Sequence, residues 1–178
     1  MGIDVAFSAA NDAAAAEAEV RPGGPLGWPV QVGTRKVGWS RKEAVFEEAG
    51  AAFDGFATRG YDGVANMGTL EELLTGVPYD GLDQDPRWGG QVSDDEAPEN
   101  CGVLCLTDTL RDFLAAAPEG ALETIVGSWA ETEELASHDG AAQTQADLDD
   151  HLTFLQMLRD LAARAHDKGH HLYWYFEM

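Results

Sequence analysis

At 178 residues the chain fits one domain, long enough to bury roughly 70% of its unfolded surface. A hydrophobic fraction of 44% and five tryptophans argue for a packed core and against disorder, and no apolar run approaches the ~20 residues of a membrane span. Thirty-two acidic residues against eleven basic ones give a net charge of −21, which disfavours nucleic acid backbones and anionic membranes and favours a basic partner.

The opening MGIDVAFSAAND has no basic n-region and no long apolar stretch, so no secretory leader is expected. Within it Ile3, Val5 and Phe7 alternate with Asp4 and Ala6 and predict a short strand. Asn11 or Asp12 then caps DAAAAEAEV, a helix rich in the best helix former. RPGGPLGWP is a loop by its prolines and glycines. Val30, Val32 and Val37 suggest a hairpin around Gly33 and Thr34. Ser40 followed by Glu43 has the form of a capping box. Val45, Phe46, Ala49, Ala52, Phe53 and Phe56 follow at helical spacing, which predicts a helix from Arg41 onward.

Thr69 with Glu72 opens a second short helix on Leu70, Leu73 and Leu74, ending at Gly76. Residues 77–100 show no periodicity and predict a long acidic loop around Trp88, of a length uncommon inside a compact domain and often functional or mobile. GVLCL is a short buried strand with Cys101, Val103 and Cys105 on one side. Helices follow from Thr107 or Asp108, on Leu110, Phe113 and Leu114, and after Pro118, on Leu122, Ile125, Val126 and Trp129.

The last stretch organises the rest. A helical wheel puts Leu148, Leu152, Phe154, Leu155, Leu158, Leu161, Ala162 and Ala165 on one half. Thr144 with Asp147 forms the capping box, and Gly169 supplies the stop. In HHLYWYFEM both alternating faces carry large side chains, which predicts an interior strand covered on two sides. With strands at the beginning, middle and end, the pattern is a single α+β domain over residues 1–178. It has a small sheet of short strands covered by about six helices.

Two site expectations follow. Arg35, Lys36, Arg41 and Lys42 cluster around Trp39 and Ser40. Cations in the first turn of a helix oppose its dipole, so an anion site for phosphate or carboxylate is one reading. Pairing with Glu43, Glu47 or the acidic loop is the other, and no GxxxxGK[ST] or GxGxxG loop strengthens the first. Asp80, Asp83, Asp85, Asp94, Asp95 and Glu96, with Trp88 as an aromatic centre, form the second expected site, a surface for a basic protein. Acidity serving solubility alone, as in lysine-poor adaptation to high salt, is the competing account.

The histidines predict no metal centre. Gly169 breaks the helix between His166 and His170, and His151 lies roughly 22 Å from His166 along the helix. His151 falls on the apolar face as a core histidine, and the sequence leaves open whether His138 in its loop approaches His151, His166, His170 or His171. Cys101 and Cys105 lack zinc or thioredoxin spacing and make no disulfide framework, which fits the cytoplasm. No catalytic residue, cofactor or metal is expected.

The opening MGI before a short strand, the mid-chain LLTG, and a terminal helix with AARAHDKGHHLYWY are similar to the small bacterial proteins typified by YfbM. The likeness covers the first few residues, Leu73 to Gly76 and the last thirty or so, and the acidic segment departs from it. It implies an α+β single domain and brings no site residues. The function expected from the residues is therefore an interaction module of the immunity or inhibitor kind for a basic partner. The alternative is a small-molecule or anion binder, or an enzyme, built on Arg35 to Lys42.

Overall fold

The structure, a computed structural model, describes residues 3–37, 41–92, 97–118, 120–136 and 143–178. Among these residues the chain forms β1 (Ile3–Ala9), α1 (Asp12–Val20), β2 (Val30–Val37), β3 (Arg41–Glu47), β4 (Asp54–Thr58) and α2 (Ala65–Thr75). A short 3-10 helix (Tyr79–Gln84), β5 (Gln91–Val92), β6 (Cys101–Cys105), α3 (Asp108–Ala116), α4 (Ala121–Ala130), α5 (Gln145–Lys168) and β7 (His171–Glu177) follow. Five strands make one antiparallel sheet in the order β4-β1-β7-β6-β5, and β2 and β3 form a separate two-stranded ribbon. The class is α+β.

The terminal helix and strand carry the architecture, as their sequence predicts. Thr144 caps α5 through the Asp147 amide, and the Asp147 carboxylate accepts from the Thr144 amide in return. Gly169 closes the helix at φ +66, a conformation that costs glycine nothing sterically. Phe154, Leu155, Leu158, Leu161, Ala162 and Ala165 are buried on one face of α5, each larger aliphatic side chain contributing about 1.5–3 kcal/mol.

Strand β7 then lies between β1 and β6, paired on both edges. Its alternation feeds two cores. Leu172 and Trp174 point into one formed with α2, α3, α4 and α5, while Tyr173 and Tyr175 point into another formed with α1, Val5, Phe7, Val103 and Cys105. A strand buried on both faces has no polar side to show, hence the unbroken run of aromatics. Gly63 lets the chain pass close to Trp174: a Cβ there would stand 2.4 Å from the indole ring.

Several sequence expectations need correction: α2 starts at Ala65, so Thr69 lies inside the helix rather than at its opening, and Phe113 on α3 is exposed. The helix expected from Arg41 onward is instead β3, a loop and β4. The hairpin expected around Gly33 and Thr34 is displaced toward the C-terminus, since both residues lie within β2, whose last residue Val37 pairs with Arg41, the first of β3. Residues 77–100 are not one loop, because the 3-10 helix and β5 organise much of the segment. No helix among the described residues is long and apolar enough to cross a membrane.

Candidate functional site

The basic cluster lies on the ribbon. Arg35 and Lys36 stand on β2 opposite Glu43 and Lys42 on β3, and Arg41 faces Val37. Alternation puts Arg35, Glu43 and Arg41 on one face, where Glu43 lies 3.6 Å from Arg35 and 3.8 Å from Arg41. Lys36, Lys42, Thr34, Ala44 and Phe46 occupy the other face. Residues 41–47 are a strand, so the helix N-terminus that the anion reading drew on is absent among the described residues. Trp39 and Ser40 lie outside the described residues.

The ribbon's most telling property is its isolation. No other helix or strand among the described residues packs against β2 or β3. Almost every side chain is exposed, including Val32 at 53% and Phe46 at 58%. A lone two-stranded hairpin is marginal in water, and like charges directly opposite, as Lys36 and Lys42 are, weaken it further.

The acidic segment behaves differently. Asp80 and Asp83 face solvent, whereas Asp85 accepts a hydrogen bond from the Arg87 amide at 2.8 Å. Trp88 is half-buried, set edge-on to Tyr79 at 5.7 Å and packed over Gly68, where a Cβ would come within 2.5 Å of its ring. It contributes to packing within the chain. Asp94, Asp95 and Glu96 lie outside the described residues.

Sequence reasoning missed a polar network at the starts of α1 and α3. Asp12 Oδ1 accepts from the Tyr173 hydroxyl at 2.7 Å and from Arg87 Nη1 at 3.0 Å. These contacts, the Tyr173 bond foremost, hold the Asp12 carboxyl below its ordinary value against a smaller opposing effect of burial. Asp108 Oδ1 lies 2.6 Å from His171 Nδ1 and 2.9 Å from Arg111 Nη1. Arg111 also donates to the His170 carbonyl at 2.8 Å. The network clamps two helix starts to β7, and the aspartates at first-turn positions were its only sequence signal. Among the described residues no group of three histidines, cysteines or carboxylates is placed to hold a metal ion. His138 lies outside them.

His151 lines a cleft of about 380 Å³ with Arg59, Tyr61, Glu134, Asp147 and Asp150. Its Nδ1 is 2.8 Å from the Tyr61 hydroxyl, and its Nε2 is buried without a hydrogen-bond partner. Tyr61 stacks on Phe154 at 3.9 Å and on Trp129 at 5.6 Å. Burial pushes the Tyr61 hydroxyl up to about 12, with Asp150 adding to the effect, and lowers the His151 imidazole. The pair is therefore neutral near pH 7, with a spare ring nitrogen that suits hydrogen bonding to a polar molecule. The expectation of a wholly satisfied core histidine holds for one ring nitrogen only.

Comparison with protein-family models, curated proteins and solved structures returns no match.

Proposed function

We propose that this protein is a cytoplasmic protein-interaction module whose docking element is the β2–β3 ribbon. The observation that carries the reading is a ribbon against which no other helix or strand among the described residues packs, and which nevertheless displays Val32, Val37 and Phe46. Exposed apolar side chains on an unsupported hairpin gain most when a partner covers them. The strong negative charge of the chain steers basic proteins toward it and speeds encounter. The free thiols of Cys101 and Cys105 accord with a reducing compartment. The acidic segment contributes to steering, and Trp88 beside it is half-buried against Tyr79 and Gly68.

A photo-crosslinking benzophenone side chain at position 46 tests this in extracts of the source cells, with position 157 as an exposed control. A discrete protein adduct is expected at 46 and not at 157, removed by excess unmodified protein but not by a Phe46→Ser variant. Equal adducts at both positions, or competition by Phe46→Ser, would count against the ribbon.

A second reading, a small-molecule binder, is favoured by the His151 and Tyr61 cleft rather than by the basic cluster. Thermal-shift screening with polar metabolites tests it, because a ligand of the folded state raises the melting temperature. The shift should disappear in His151→Gln.

A further inference from the structure

Where α5 gives way to β7, beside the end of β1 and the start of β4, lies a cavity of about 260 Å³. Ser8, Phe53, Asp54, Lys168, His170 and three alanines line it. Ser8 on β1 stands opposite Asp54 on β4, so their side chains share a face of the sheet. Ser8 is 3% exposed, and among the described residues its hydroxyl has no hydrogen-bond partner. The same holds for the buried Nδ1 of His170. The backbone of that residue is fixed: its amide donates to the Ala165 carbonyl and its carbonyl accepts from Arg111, each at 2.8 Å. Two such atoms on the residues of one cavity wall each carry a desolvation cost that a bound polar molecule would offset. The charge here runs against that of the chain. Asp54 receives Arg164 Nε and Nη2 on its two oxygens, both at 2.9 Å, while Lys168 Nζ stands off at 3.4 Å. The guanidinium satisfies the carboxylate, and the Lys168 ammonium remains as the surplus cation.

We infer that this cavity binds a small monocarboxylate with a short apolar tail. The carboxylate would accept from the Ser8 hydroxyl, from Lys168 and from His170 Nδ1 in the tautomer that carries its proton there. Such charge-assisted bonds are stronger than those a neutral ligand would form. The tail would lie on Phe53 and the alanines, where it leaves water. Volume limits the ligand: at about 30 Å³ for each water-sized group, the cavity holds roughly nine non-hydrogen atoms. Inorganic phosphate would leave the apolar wall uncovered, and an ammonium group would meet Lys168 as a like charge. Among the described residues none of the lining comes from β2 or β3, so the site stands apart from the ribbon.

The test is to titrate butyrate into the isotope-labelled protein and follow its backbone amides by NMR, with n-butylamine and inorganic phosphate as controls. Butyrate should move the amides of Ser8, Phe53 and His170 saturably, n-butylamine should leave them in place, and phosphate should bind more weakly than butyrate. Ser8→Ala and Lys168→Gln should each lose roughly tenfold in affinity. Ser8→Ala should also melt no lower than wild type, because a methyl group replaces a hydroxyl that lacks a partner. Absence of saturable shifts at these amides, equal shifts with n-butylamine, or tighter binding of phosphate would overturn the inference. So would unchanged affinity in either variant, or a Ser8→Ala protein that melts well below wild type, which would give Ser8 a purely structural role.

Discussion

Strand β7 is paired on both edges and covered on both faces, whereas among the described residues β2 and β3 pair only with each other and show nearly every side chain to solvent. The two regions hold apolar side chains of similar size, yet Trp174 is 1% exposed and Phe46 is 58% exposed. The difference separates residues that hold the molecule together from residues held out for another molecule. A core can be emptied of function, but an exposed apolar ribbon is hard to explain by stability alone.

The contrast is sharpest in truncation. Trp174→Ala should destabilise by about 3–5 kcal/mol in urea unfolding, since the indole is buried against α5 and Gly63. Phe46→Ser should stay within about 0.5 kcal/mol of wild type, and a larger loss would mean that the ribbon belongs to the cooperative unit. Next in size, Thr144→Ala removes one half of the α5 capping box and should cost about 1 kcal/mol in the same assay.

A smaller effect comes from pH. The folded pKa of His151 lies below its ordinary 6.5, so the unfolded chain binds the extra proton first as pH falls. This contribution to stability is complete above 6.5 and declines as pH drops toward the folded value. His151→Gln should therefore flatten the urea midpoint between about pH 8 and pH 5 relative to wild type. An unchanged slope would show that His151 titrates normally. The smallest change is expected from Lys36→Glu, which places opposite charges across the ribbon and should stabilise it by about 0.2–1 kcal/mol, read as slower amide exchange in β2 and β3.

How far the sequence carried the fold depended on whether local signals agreed with tertiary ones. In α5 the capping box, the apolar face and Gly169 point the same way, and the alternation of β7 declares two buried faces. The pattern of Ser40 and Glu43 misled because a capping box is a four-residue signal. The apolar positions after it do not share a buried face: Phe46 is exposed on β3, and Gly50 turns the chain at φ +70 before β4. Site legibility was poorer for the same reason. The cavity beside Lys168 joins Ser8, Phe53 and His170, and that of His151 joins Arg59, Glu134 and Asp150. Those meetings are made by sheet register and helix packing, which no spacing along the chain records. The basic cluster was visible, but the sequence could not say that an antiparallel register would set Lys36 against Lys42.

Ile3 on β1 stands directly opposite Glu177 on β7. The start of β1 and the end of β7 therefore lie side by side, and a short glycine-serine bridge between them would close residues 3–177 into a ring. Cut open elsewhere, such a ring is a circular permutant with every strand pairing of the body retained. Spliced by the same two points into a loop of a carrier protein, the body would become a transplantable mount that leaves the hairpin free to reach outward.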